Sequence, residues 1–442
     1  MKMLEQLQVQ DIPKTKRLNL SCELEQFPRE AFDFADCLEV IDLSNNRLSS
    51  LPDDFPRLHK LRVLFLNNNQ FEGVPEVLSQ CPQLSMISFK SNQLATLSET
   101  ALPPQTRWLI LTNNQLTDLP AALGKLTKLQ KLMLAGNRLK SLPEELSACH
   151  SLELIRIAAN QLTAMPQCLF ALPRLAWIAY AGNPFCADSW ASQRAPTPLE
   201  IIDWTKLTIG EQLGQGASGV IYRATWHRHT SVEDVAVKLF KGDITSDGLP
   251  ADEMKACIAA GTHPNLISVL GRVVNHPEQK AGLVFPFISA DYSTLGGPPS
   301  LATCTRDTYK PGTQFDIGIS LQIARSIAGA TAHLHLQGVL HGDLYPHNVL
   351  TAPNGNSLLG DFGAAAFFDV EKTPGKNLQQ IEGRAFGCLL EDLLRYCPPL
   401  DAETHTEVFK ALQRMQQACL SPKISDRPSL ATLYEALNEL TI

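Results

Sequence analysis

The chain has 442 residues and a mass of 48.6 kDa, which suits two or three domains with ordinary buried cores. Hydrophobic residues at 44%, charged residues at 19% and a net charge of −7 exclude a disordered chain, a membrane bundle and a general binder of nucleic acid. Eleven scattered cysteines without a C-x-x-C pair, no apolar run of spanning length and a start (MKMLEQLQVQDIPK) without a signal-peptide core lead to the expectation of a reduced, cytoplasmic protein that does not insert into membranes.

The first half is repetitive. Asparagine recurs in a leucine frame at Asn46, Asn69, Asn92, Asn114, Asn137, Asn160 and Asn183, spaced by 23 residues with one step of 22. Each copy reads L-x-x-L-x-L-x-x-N-x-L-x-x-L-P, as in LQKLMLAGNRLKSLP from Leu129. Such a copy makes a short strand and a sharp turn, in which the asparagine amide can satisfy backbone groups. Pro52, Pro75, Pro120, Pro143 and Pro166 each follow their asparagine by six residues and are expected to end strand pairing. One copy cannot bury its leucines alone, so the copies must stack. An earlier degenerate copy, LNLSCELEQFP, reads as an N-terminal cap. This pattern resembles the leucine-rich repeat family over about residues 15–190.

Alternation along each strand points the residues six and four before each asparagine away from the core, on the concave inner face of the solenoid. Phe65, Met86, Trp108, Ile110, Met133, Leu154 and Trp177 then form an apolar band there. A band of this composition points to a protein partner or self-association. The competing expectation is that the linker or the chain's own second domain covers it.

Beyond Asn183 the period is lost. Residues 191–204 read as a linker or closing cap, and residues 205–442 as an α+β domain with strands first and helices later. LGQGASGVIY sets Gly214, Gly216 and Gly219 in a glycine-rich strand–turn–strand, flanked by Leu213 and Ile221. Backbone N–H groups in such a hairpin can approach phosphate oxygens. VAVKLF then carries Ala236 and Lys238 on an alternating strand, and a predicted helix carries Glu253, a better partner for Lys238 than Asp252.

The segments HGDLYPHN and GDFG follow, with Asp343 five residues before Asn348 and eighteen before Asp361. Together with the hairpin and Lys238, they resemble the protein kinase family over residues 205–442. The resemblance implies an α/β leucine-rich-repeat solenoid (residues 1–190) followed by an α+β two-lobed kinase-like domain. It implies ATP and Mg2+ as cofactors, with Asp343 accepting the substrate proton, Asn348 and Asp361 holding the metal, and Lys238 orienting ATP. Phe285 and Pro286 match the family's hinge, where Ile288 would supply a backbone donor to adenine. Arg427 in SDRPSL matches a late motif, and Glu382 in EGRAFG resembles the family's D-x-W-x-x-G helix start.

Some positions depart from the family. Gly342 replaces the arginine before the catalytic aspartate, Tyr345 stands where a lysine is usual, and His347 stands where tyrosine kinases carry arginine. Only 21 positions separate Asp361 from Glu382, and no A-P-E anchor occurs, so Arg427 lacks its usual glutamate, with Glu371 as a candidate substitute. These features point to a Ser/Thr-type protein kinase with a shortened activation segment. Alternatives are a nucleotide-binding scaffold without phosphotransfer and a small-molecule kinase of the aminoglycoside-phosphotransferase type.

Overall fold

The computed structural model describes residues 16–186, 199–400 and 403–441. Two compact units divide the chain: Met1–Arg156 with Asn160–Leu172, and Ile157–Ala159 with Pro173–Ile442. Among the described residues, no helix is long and apolar enough to cross a membrane.

The first unit is a stack of short parallel strands: β1 (Arg17–Asn19), β2 (Val40–Asp42), β3 (Val63–Phe65), β4 (Met86–Ser88), β5 (Trp108–Ile110), β6 (Lys131–Met133) and β7 (Leu154–Arg156). They pair in chain order and without slippage, Val40 against Val63 and Val63 against Met86. The middle residues Ile41, Leu64, Ile87, Leu109, Leu132 and Ile155 are fully buried. The asparagines explain the fixed spacing. Asn69 Nδ2 donates to Leu43 O at 2.9 Å and Leu66 O at 3.2 Å, and its Oδ1 accepts the Leu48 N–H at 2.9 Å, so one amide ties two adjacent coils. The residue before the asparagine takes positive φ at Asn45, Asn68, Ser91, Asn113 and Gly136, the left-handed turn that short polar side chains and glycine tolerate best.

The prolines do more than end the strands. Pro75, Pro120, Pro143 and Pro166 directly precede 3-10 turns, and Pro75 O accepts the Leu78 N–H at 3.1 Å. Among the described residues of this unit, the return path is built from such turns.

The apolar band needs correction, because it is not an open face. Met86, Met133, Leu154 and Trp177 are buried, and only Phe65, Trp108 and Ile110 keep partial exposure. The Lys131 ammonium lies 4.3 Å from the Trp108 ring centroid and covers part of it.

The second unit begins with the last repeat coil, whose strand is β8 (Trp177–Ala179). Residues 191–198 of the expected linker lie outside the described residues. Its remainder is not a linker, since β9 (Glu200–Asp203) runs parallel to β13 (Gly271–Val274) at the edge of a sheet. That sheet also contains β10 (Leu207–Gln215), β11 (Gly219–His227), β12 (Val232–Phe240) and β14 (Gly282–Pro286), in the order β10-β11-β12-β14-β13-β9. Ile202, Trp226, Val237 and Val284 share its core. Helix α1 (Pro250–Ala259) follows β12.

The rest is mainly helical. It contains α2 (Ile317–Leu336), α3 (Thr373–Arg395), α4 (Glu403–Cys419) and α5 (Leu430–Glu439). Two small sheets position the loops between them. In one, β17 (Val349–Thr351) pairs with β18 (Ser357–Leu359) and with β15 (Ser293–Thr294); in the other, β16 (Val339–Leu340) pairs with β19 (Ala366–Phe367). Glu382 therefore lies inside α3 and not at a helix start. The helix already begins at Thr373, so the segment after Asp361 is shorter than the sequence suggested.

Candidate active site

A cavity of about 650 Å³ in the second unit is lined by Leu213, Gly216, Gly219, Ile221, Ala236, Lys238, Phe285, Pro286, Ile288 and Asp361. Strand register brings them together. Ile221 opposes Lys238 across β11–β12, and Ala236 opposes Phe285 across β12–β14, while Ala236 and Lys238 share a face by alternation. Gly219 must be glycine, since a Cβ there would meet Leu239 O at 2.6 Å. Gly216 has open space where a side chain would point, and its N–H closes the hairpin onto Gly219 O at 2.9 Å. Gly214 does not line the cavity.

Lys238 Nζ forms an ion pair with Glu253 Oε1 of α1, and Glu253 is buried. Asp252 instead pairs with Lys255 at 2.8 Å. Burial opposes the charge on Lys238, but the Glu253 carboxylate and then Asp361 outweigh it and raise the ammonium above its ordinary value. Cys257 and Ile267, not recognised in the sequence, line the same cavity.

The loop between β16 and β17 carries the second group. Asn348 Nδ2 donates to Asp343 Oδ2 and to Asp343 O, both at 2.9 Å. His341 is buried, and its Nε2 bonds Gly360 O at 2.8 Å, while Gly360 N–H donates to Asn348 O at 3.0 Å. Asp361 follows in the left-handed region, φ 56°, with its Oδ1 accepting the Gly363 N–H at 3.1 Å. Asp343, Asn348 and Asp361 are thus linked through one short network of backbone and amide bonds.

Beneath this loop, Glu382 Oε1 accepts the Gly342 N–H at 2.6 Å, and Oε2 accepts the His341 N–H at 3.3 Å and meets His335 Nε2 at 2.7 Å. His347 Nδ1 contacts Asp307 Oδ1 at 2.8 Å, and the His347 N–H donates to Asp307 Oδ2 at 2.7 Å. Burial disfavours the imidazolium, but Asp307, then Asp343 and Asp361, raise its pKa. Asp307 was not foreseen, because CTRDTYK carries no periodicity that would mark it.

Arg427 is buried and meets no carboxylate among the described residues, so Glu371 is not its substitute partner. The guanidinium instead donates to Pro173 O at 2.8 Å, Ser421 O at 2.9 Å, Gln380 O at 3.3 Å and Leu175 O at 3.4 Å.

Residues 207–382 match the family described as protein tyrosine and serine/threonine kinase, and residues 13–71, 36–94 and 104–162 match the leucine-rich repeat. The serine/threonine-protein kinase mos of Xenopus laevis is 29% identical over 166 residues, which is 37% of this chain and 43% of that relative. The matched stretch therefore spans less than half the length of that curated relative.

Proposed function

We propose that this chain, a leucine-rich-repeat region joined to a protein kinase domain, is an ATP- and Mg2+-dependent phosphotransferase acting on serine or threonine hydroxyls of a protein. The observation that carries this reading is the convergence of two groups on one site: the Lys238–Glu253 pair in the cavity, and the linked Asp343, Asn348 and Asp361 beside it.

The donor set suits Mg2+. Asn348 commits its amide nitrogen to Asp343, which leaves its amide oxygen as the acceptor it can offer a cation, and Asp361 adds a carboxylate. Hard oxygen donors of this kind, few in number and completed by phosphate oxygens, fit that cation. When bound, it supplies charge neutralisation on the phosphates. The protein residues do the remainder. Lys238 orients phosphate oxygens, the backbone of the glycine hairpin covers them, Ile288 offers a main-chain donor to adenine, and Asp343 accepts the proton of the attacking hydroxyl.

The glycine hairpin with Asp361-Phe362-Gly363 supports a protein kinase over a small-molecule kinase. The half-exposed Phe65, Trp108 and Ile110 support a protein partner on the repeat sheet. Eleven free thiols support a reducing cytoplasm. The test is incubation of the full chain with labelled ATP and Mg2+ and no added substrate, beside Asp343→Asn. Label transfer or ATP turnover should occur in the wild type and fall at least about 100-fold in the variant. Equal rates in both would remove the assignment.

A further inference from the structure

Pro173–Cys186 continues the repeat pattern in sequence yet belongs to the second unit. Its contacts with the loop around Asp343 are specific. Ile178 N–H donates to Gly342 O at 3.2 Å, and Trp177 Nε1–H donates to Leu344 O at 3.0 Å. The carbonyls on both sides of the catalytic aspartate are therefore held by one coil. The Trp177 ring also stacks on Tyr345, with centroids 4.2 Å apart and planes 8° from parallel. Three residues on, the Tyr180 O–H donates to Phe367 O at 3.1 Å, in β19 of the segment that follows Asp361. Both aromatic side chains are almost fully buried.

In protein kinases generally, the Lys–Glu pair and the metal-binding aspartate must both be in place, and an activation segment controls this. Here 11 residues lie between Asp361 and the start of α3 at Thr373, and they include no Ser, Thr or Tyr. The last coil touches the two elements such a segment would hold, the catalytic loop and the strand after Asp361. The bond to Gly342 O fixes the peptide plane that enters Asp343, and the bond to Leu344 O fixes the peptide after Leu344, so the main chain that carries the Asp343 side chain is held on both sides.

We infer that the last leucine-rich coil is a built-in positioning element for phosphotransfer, with Trp177 orienting Asp343 and Tyr180 holding the segment after Asp361, in place of an activation loop. This inference rests on the phosphotransfer reading above. Trp177 and Tyr180 are positioning residues. They act through Leu344, Tyr345 and Phe367 and touch no reacting atom.

The test uses the full chain carrying Trp177→Ala, Trp177→Phe or Tyr180→Phe, with three measurements: ATP turnover, affinity for a fluorescent ATP analogue, and amide hydrogen exchange. A displacement of about 1 Å can cost about 100-fold in rate. Trp177→Ala should therefore lower kcat by about 30- to 100-fold while KM for ATP and analogue affinity stay within about twofold. Trp177→Phe keeps a ring for the stack and should recover part of the loss. Tyr180→Phe removes one oxygen and should lower kcat by about threefold or more. Exchange at Asp343, Leu344 and Tyr345 should quicken in Trp177→Phe, with the β12 amides unchanged. Wild-type kcat in a folded Trp177→Ala or Tyr180→Phe would overturn the proposal, and so would a faster Trp177→Ala, which would make the coil a block. An inactive wild type would defeat the phosphotransfer reading alone. Hydrogen exchange would then decide the coil's role, and an unchanged catalytic loop in Trp177→Phe would overturn it.

Discussion

Glu382 accepts the Gly342 N–H at 2.6 Å, so a carboxylate inside a helix holds the His341–Gly342 peptide, one residue ahead of Asp343. Burial alone would raise the pKa of Glu382, but the hydrogen bond and charge of His335, the charge of His341 and the Gly342 N–H together lower it below its ordinary 4.5. A folded-state pKa below the unfolded one contributes stability above about pH 4.5, which is lost as pH falls through the folded value. Glu382→Gln should cost about 2–3 kcal/mol at pH 7. The gap between wild type and variant should narrow as pH drops below 4.5. Thermal melts of both proteins between pH 3.5 and 7 check this, and a gap that widens on acidification would contradict it.

Gly342 stands where the resemblance leads one to expect arginine, and the structure supplies a steric reason. Gly342 has φ 73°, and a Cβ would meet Ile178 O at 2.4 Å and Ala364 O at 2.7 Å. Both obstacles are backbone atoms, which cannot swing aside as a flexible side chain would. Gly342→Arg should therefore not create a phosphate-dependent kinase. It should displace the loop, abolish turnover and lower Tm. Wild-type protein treated with phosphatase should keep its full rate, because the 11 residues before Thr373 contain no hydroxyl to phosphorylate. A treated enzyme that loses activity and regains it on phosphorylation would refute this account.

Much of this was legible in the sequence, for a physical reason. Repeats and glycine hairpins are local, so the asparagine spacing located strands β2 to β8, and the order of Gly216, Lys238 and Asp361 located the cavity. What stayed hidden depends on contacts between distant residues. Trp108 and Trp177 occupy equivalent places in their coils, yet one is partly exposed and the other stacks on Tyr345. Nothing in the local pattern of Trp177 distinguishes the two. The start of α3 at Thr373 is not legible either, because the family motif at Glu382 points to a helix start nine residues later.

Arg427 shows the same long-range effect in a buried cation. Burial, with the nearby Arg384, lowers its pKa to about 10, so it remains charged at neutral pH, with backbone carbonyls as its acceptors. Arg427→Leu would strand the Pro173, Leu175, Gln380 and Ser421 carbonyls. The expected cost is about 3 kcal/mol or more, a fall in Tm of roughly 6–12 °C. Arg427→Lys restores the charge but fewer donors, and should recover less than half of the loss. Calorimetry of the two variants distinguishes this from a simple charge effect, in which lysine would restore everything.

Lys238 and Glu253 provide the clearest test of coupling, because the glutamate is buried and its Oε1 pairs with the lysine ammonium. If Glu253 acts solely by holding Lys238, the two substitutions must not add. Glu253→Gln keeps the shape but removes the charge that, with Asp361, sustains the ammonium in a desolvated site. It should lower kcat/KM for ATP by about 10- to 100-fold, or about 1.4–2.7 kcal/mol. Lys238→Met should lose more, since on the proposed reading it also removes the contact to phosphate. The double variant should match Lys238→Met within about threefold, because a glutamine has nothing left to position. Turnover assays on the four proteins complete the cycle. A double variant whose loss is the product of the single losses would show that Glu253 serves phosphotransfer by some route other than Lys238.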